Sequence, residues 1–157
     1  QRGVKVVKEG DLQMFFAYAW VFNNVPAMNF ETLDRAPFII KKIHEMGTAN
    51  RLEYAFTMLA GAELVAPYMV PTTVHFYIVP SAKDKWLSVL ERNDMYPVEQ
   101  RGGNVPALLW DPHVFCGKMV VRGMNVVSLP QLFADLFSCG GVFRDAALRL
   151  REVAPDV

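Results

Sequence analysis

Two acids flank a glycine pair near the end of the chain, in the stretch VVSLPQLFADLFSCGGVFRDAALRLRE that runs from Val126 to Glu152. Asp135 precedes Gly140-Gly141, and Asp145 follows it. Paired carboxylates can act as general acid and base, or they can hold a divalent metal ion. The neighbouring residues are largely apolar and follow helical spacing, so this segment is predicted mainly to fold rather than to catalyse a reaction.

The helical pattern predicts where these acids lie. Leu129 to Ser138 is predicted as a helix whose apolar stripe leaves Gln131, Asp135 and Ser138 together on the other side. The pattern therefore makes Asp135 a surface or interface residue. Gly140 and Gly141 supply the positive φ that a sharp reversal needs. A second helix is predicted from Phe143 to Val153, with a packing face made of Phe143, Ala146, Ala147 and Leu150.

Nucleotidyl transfer would need two or three carboxylates on adjacent strands to hold Mg²⁺ against a triphosphate. Gly61-Ala62-Glu63 offers a glycine without a serine, the strand predicted from Thr73 to Val79 contains no acid, and Asp111 stands alone. We therefore predict no catalytic residue, no metal ligand and no cofactor, and interpret the chain as a non-enzyme. A nucleotidyltransferase-like enzyme with unrecognised metal-binding acids is the alternative.

Histidine and cysteine give no nucleophilic site by their spacing. His75 lies in an apolar strand, where a hydrogen-bonded core histidine is commoner than a ligand or base. Cys139 is predicted at a helix C-terminus, the end that raises a thiol pKa, and it and Cys116 are predicted to be reduced and buried. The sequence RGGN, residues 101–104, lacks the lysine and helix of a P-loop, so a hairpin turn is predicted there.

The composition describes one globular domain. The chain has 157 residues, of which 52% are hydrophobic, and its 16 Lys and Arg residues balance 16 Asp and Glu residues. This balance excludes a net basic field, so any DNA contact would have to be local or made elsewhere. The longest apolar run, Leu12 to Val25, is too short and too interrupted to cross a bilayer, and a cytoplasmic protein without a membrane partner is expected.

The predicted elements mix strands and helices. Helices are predicted at Leu12–Phe22, at Pro37–Met46 with Gly47 as its end, at Ser81–Asn93 with Ser81 as its cap, and over the final pair. Strands are predicted at Thr73–Val79, Met95–Val98, Pro106–Trp110 and, around a turn at Gly123, Lys118–Val127. Arg51 to Val65 stays open between one helix and a strand, Tyr54–Thr57, that feeds a turn at Gly61. The predicted class is α/β or α+β, a mixed sheet flanked by helices and ending in a helical hairpin.

The C-terminal pattern resembles the end of AbiEi-type antitoxins, the transcriptional regulators of abortive-infection type IV toxin–antitoxin systems. In this chain the residues that carry the resemblance are Val127, Ser128, Gln131, Asp135, Leu136, Gly140, Gly141, Arg144, Asp145, Ala146 and Ala147. The order of the upstream elements is also similar.

The resemblance implies a reduced nucleotidyltransferase-like fold and an N-terminal winged helix that binds operator DNA. Residues 1–9 would then be a remnant of the last wing strand, and residues 10–157 a single α/β regulatory domain without catalytic activity. Operator DNA would be bound by a part absent from this chain, while Gln131, Asp135 and Arg144 stabilise the helical hairpin or meet a partner. A domain that dimerises through its aromatic surface, in the predicted helix Leu12–Phe22, is the second alternative.

Overall fold

A computed structural model of the protein describes residues 22–67, 69–99 and 102–154. The predicted wing remnant and most of the first predicted helix lie outside these residues. The strands are β1 Ala27–Glu31, β2 Tyr54–Thr57, β3 His75–Ile78, β4 Tyr96–Pro97, β5 Val105–Leu109, β6 Met119–Val121 and β7 Met124–Val126. The helices are α1 Ala36–Asn50, α2 Met58–Val65, α3 Lys83–Arg92, α4 Leu129–Phe137 and α5 Gly141–Val153.

The described strands form one mixed seven-stranded sheet in the order β4-β1-β5-β3-β2-β7-β6. The pairs β3/β5 and β2/β7 are parallel, and the other neighbouring pairs are antiparallel. Helices flank the sheet, and α4 and α5 pack on each other as a hairpin. The predicted mixed sheet with a terminal helical hairpin is therefore confirmed.

The pairing register sorts the side chains of the central strands onto two faces. Asn29 pairs with Pro106, Thr57 pairs with His75, and the β3/β5 register places His75 beside Pro106. Because side chains two apart share a face, Tyr77 and Leu108 lie on the same side as this row. We call this side, which faces α4, the first face; its opposite is the second face.

The second face is an aromatic core under α1 and α3. Trp86 of α3 is fully buried, with its ring centroid 5.3 Å from that of Phe76 in an edge-on arrangement. Tyr54 meets α1 through a 2.6 Å hydrogen bond between its hydroxyl and Nδ1 of His44. Such aromatic pairs each stabilise a core by about 0.5–1.5 kcal/mol beyond the area they bury.

Gly47 does not end the first helix, as its sequence context predicted. The helix continues through it to Asn50, and Arg51 closes the helix in the left-handed conformation at φ 56°. Gly47 is required for another reason, since a Cβ there would lie 2.7 Å from Cδ1 of Tyr54. The glycine permits close helix–sheet contact rather than chain reversal.

Several other strands, helices and turns differ from those predicted. Strand β1 was not predicted, and the open segment around Gly61 is strand β2 followed directly by α2, with Gly61 inside the helix. Ser81 lies in a short 3-10 turn, Pro80–Ala82, and does not cap α3. The predicted hairpin at Gly102-Gly103 is wrong, because β4 and β5 pair with opposite edges of β1.

Among the described residues, no helix combines the length and apolar character that crossing a bilayer requires.

Candidate functional site

A buried carboxylate joins the helical hairpin to the first face of the sheet. Asp135 of α4 has no exposed surface, which corrects the prediction of a surface or interface residue. Its Oδ2 accepts hydrogen bonds from the Thr57 hydroxyl at 2.6 Å and from the Tyr77 hydroxyl at 2.9 Å. Its Oδ1 accepts a hydrogen bond at 2.9 Å from Nε2 of Gln131, one helical turn earlier. We call these four residues the Asp135 clamp.

Each member of the clamp is placed by its element. Thr57 is the last residue of β2 and the N-cap position of α2, yet its hydroxyl makes no capping bond and donates to Asp135 instead. Tyr77 lies two residues along β3 from His75, the pairing partner of Thr57, and therefore on the same face. Ser128 caps α4 by accepting from the Gln131 amide at 3.3 Å, which orients the first turn that carries the Gln131 side chain.

Three donors converge on one carboxylate, and this is the arrangement that an ionised acid needs when it is withdrawn from water. Burial raises the pKa of Tyr77 above its usual range, and the charge and hydrogen bond of Asp135 raise it further. Tyr77 therefore stays a neutral donor to the acid. Within the described residues these hydrogen bonds join the helix α4 to the strands β2 and β3, so the role that they indicate is structural.

The glycine pair and Arg144 hold the two final helices together. Gly140 and Gly141 have φ values of 68° and 53°, so the prediction of positive φ is confirmed. Nε of Arg144 in α5 donates to the carbonyl oxygen of Phe137 in α4 at 3.3 Å, and its guanidinium lies 4.3 Å from the centroid of the Phe137 ring. Asp145 is exposed and lies outside the clamp. The two acids that flank the glycines therefore do not form a pair.

The packing face predicted for α5 is confirmed. Ala146, Ala147 and Leu150 are buried, and Phe143 packs against the core while remaining partly exposed. On α2, Gly61 allows the helix to approach α4, because a Cβ there would lie 3.0 Å from Cδ1 of Leu132. Small residues thus bring α2, α4 and α5 close together over the sheet.

The remaining candidate residues are scattered. Asp111 caps a short turn by accepting from the His113 amide at 2.8 Å. Sγ of Cys116 lies 4.0 Å from Nδ1 of His113, and Cys116 is exposed rather than buried as predicted. Within the described ranges, no group of three or more His, Cys, Asp or Glu side chains is arranged to hold a metal ion.

Cys139 and His75 border the clamp. Burial raises the pKa of the Cys139 thiol, which agrees with the predicted direction, although burial rather than the helix end is the main cause. His75 shares a row with Thr57 on the first face, and burial lowers its pKa to about 4. The prediction of a hydrogen-bonded core histidine is wrong, because Nδ1 of His75 is buried without a partner.

Comparisons with known proteins leave the family open. No family model matches the chain. No curated protein matches it significantly. Among solved structures, it is similar to the crystal structure of an antigenic nucleotidyltransferase-like protein from Paracoccidioides brasiliensis, with 12% identity, 82% of this chain and 92% of that chain covered, and a TM-score of 0.42. A similarity this weak carries no argument about function.

Sequence reasoning placed Gln131 and Asp135 together but missed Thr57 and Tyr77. These two lie 78 and 58 residues from Asp135 in the sequence. The available signal was a hydroxyl group in each of two apolar strands, that of Thr57 at the end of β2 and that of Tyr77 within β3. Such a residue needs a partner when its strand is central in a sheet.

Proposed function

We propose that the chain is the non-catalytic regulatory domain of an AbiEi-like antitoxin and transcriptional regulator, and that it acts with a winged-helix DNA-binding part. The proposal rests on the structural role of three residues that carry the resemblance to these antitoxins, Gln131, Asp135 and Arg144. Asp135 links α4 to the sheet, Gln131 donates to Asp135 within α4, and Arg144 links α5 to α4. These residues thus stabilise the α4–α5 hairpin and its position on the sheet.

A rigid hairpin suits a domain that orients another part of a regulator. The clamp carboxylate has several protein donors, and Asp111 is engaged as a cap, so neither acid is poised to bind a nucleotide-bound metal. The balanced charge of the chain also supports DNA contact through another part, since phosphate binding draws on local excess of Lys and Arg.

The test is a fluorescence-anisotropy titration with promoter DNA from upstream of the gene for this protein. The full-length gene product and this chain are compared over a series of salt concentrations. We expect the longer product to bind with an affinity that falls steeply with salt, and this chain to leave the DNA free. Binding by neither protein would contradict the antitoxin proposal.

Catalysis is tested separately by incubating the chain with Mg²⁺ and labelled nucleoside triphosphates. We expect no saturable Mg²⁺-dependent binding and no transfer of label. Saturable binding that is lost in Asp111→Ala would overturn the non-catalytic assignment and favour the nucleotidyltransferase-like alternative.

A protein-interaction domain is a second candidate, favoured by apolar side chains on one part of the surface. Leu33 is fully exposed, and Phe38 and Val70 are 61% and 71% exposed. Leu33 and Tyr96 line one groove, of about 630 Å³, while Phe38 and Val70 line another, of about 560 Å³. Asp34 borders both grooves, so the two lie next to each other. Neighbouring exposed apolar side chains of this kind are typical of contact surfaces.

A further inference from the structure

The two adjoining surface grooves carry charges of opposite sign. The groove beside β4, which we call the β4 groove, has the exposed acids Glu31 and Asp94 in its lining. The groove beside the start of α1, which we call the α1 groove, has the exposed Arg35 in its lining. Asp34, at the boundary, forms an ion pair with Nζ of Lys42 at 2.6 Å, so its charge is balanced within the chain.

The other three charged groups are not balanced in this way. Within the described residues, none of Glu31, Arg35 and Asp94 forms an ion pair. Oδ1 of Asp94 accepts a hydrogen bond from the Tyr96 hydroxyl at 3.1 Å. Arg35 occupies the N-cap position of α1, where its side chain makes no capping bond. A guanidinium group has five N–H donors and can serve two carboxylates at once.

Exposed apolar side chains accompany the charges in both grooves. Leu33 and Tyr96 belong to the β4 groove, and Phe38 and Val70 belong to the α1 groove. Leu33 is fully exposed and immediately precedes Asp34, the residue that the grooves share. Each groove therefore offers an apolar contact together with a charge, and the sign of that charge differs between the two.

We propose that the occupant of these grooves is a second copy of this chain, related by a two-fold axis, so that the β4 groove of each copy lies against the α1 groove of the other. A two-fold interface uses the same patch on both copies, and the patch has to be complementary to itself. These grooves meet that requirement, because Arg35 of one copy faces Glu31 and Asp94 of the other. The inference rests on the interaction-domain candidate, whose partner it names, and not on the regulatory role.

The β4 edge itself is closed to a further strand. The amide of Val98 donates to the carbonyl oxygen of Asn29 in β1 at 2.9 Å, so the alternation of the backbone places Pro97 towards the outer edge. Proline has no N–H to donate to another strand. The side chains of the grooves thus make the interface, and β4 does not extend the sheet into the second copy.

Sedimentation equilibrium of the whole chain over a concentration series measures association in the parent and in two charge-reversed variants. Arg35→Glu brings acids together in both halves of the interface, and Glu31→Lys brings cationic side chains together in both halves. Each should weaken association by about tenfold or more, because like charges are strongly unfavourable across an interface. A negative charge is favourable at the start of a helix, so Arg35→Glu should fold, and circular dichroism checks this.

An equimolar mixture of Arg35→Glu and Glu31→Lys tests the pairing directly. One copy of each variant places opposite charges together in both halves of the interface. Association in the mixture should therefore return to within about threefold of that of the parent. Arg122→Glu is the matched control for Arg35→Glu, because it makes the same change in net charge. Arg122 is exposed in the turn between β6 and β7, at the sheet edge opposite β4, so this variant should associate as the parent does.

The outcomes separate the two-fold pairing from the interaction-domain candidate. If the parent associates but the mixture associates no more strongly than either variant alone, the pairing of the grooves is overturned and the interaction domain stands. Equal weakening by Arg122→Glu would overturn the pairing as well. A parent that stays monomeric at every concentration would overturn the dimer and self-association together, and would assign the surface to a partner of another sequence.

Discussion

At the scale of single residues, Asp135 should stabilise the fold far more than Asp145, the acid on the other side of the glycine pair. In Asp135→Asn, one carboxylate oxygen becomes an NH₂ group that faces the donors of Thr57 and Tyr77 or that of Gln131. We expect the free energy of unfolding to fall by about 2–4 kcal/mol, because buried donors lose their acceptor. Urea denaturation measures the difference.

Asp145→Asn is the control for this comparison, since Asp145 is exposed and on the same hairpin. Its unfolding free energy should stay within about 0.5 kcal/mol of that of the parent. Equal losses in the two variants would mean that the clamp adds nothing specific to stability.

His75 should make stability depend on pH. Its pKa falls from 6.5 to about 4 on folding because burial disfavours the charged ring. Between these pH values the unfolded chain binds more protons than the folded protein does. The free energy of unfolding therefore has its full value above pH 6.5 and decreases as the pH falls towards 4. The loss is about 3 kcal/mol over that interval. Urea denaturation at several pH values should show this slope in the parent and in His113→Phe, but a flatter one in His75→Phe.

At the scale of elements, close packing between α1 and β2 depends on Gly47. An alanine there gains about 1 kcal/mol of helix propensity. Its Cβ, however, meets the Tyr54 ring at 2.7 Å and the carbonyl oxygen of Leu52 at 3.0 Å. We expect the clash to outweigh the gain, so Gly47→Ala should lower the thermal midpoint by several degrees, for a net loss of about 1–2 kcal/mol.

The neighbouring Thr48→Ala provides the control for Gly47→Ala, because Thr48 is exposed on the same helix. It should leave stability equal or raise it by a few tenths of a kcal/mol, roughly the difference in helix propensity. A stabilised Gly47→Ala protein would show that α1 can move away from the sheet at little cost.

At the scale of the whole molecule, the exposed apolar grooves should govern association. We expect the mass measured by sedimentation to rise with protein concentration, and Phe38→Ser to suppress that rise. Val120→Ser is the matched control, because Val120 is 67% exposed on β6, at the opposite edge of the sheet from β4. A monomer at every concentration, or equal effects of both variants, would contradict self-association through this surface.

The sequence by itself determined the features that arise from local patterns. The α4–α5 hairpin follows from apolar spacing and from Gly140-Gly141, whose positive φ values reflect a conformation that glycine adopts without strain. The β6–β7 turn at Gly123 and the β3 strand were predictable for similar reasons, since β-branched and aromatic residues between turns specify strands locally.

Only the tertiary structure decided which polar residues are buried and what they contact. Helical periodicity marked Asp135 as outward-facing, but the side of α4 opposite its apolar stripe meets the sheet, where Thr57 and Tyr77 donate to it. Gly47 likewise looked like a helix end until the Tyr54 ring was placed against it. The physical reason is common to both: a buried polar group or a close approach is satisfied by residues remote in sequence, which spacing along one element does not encode.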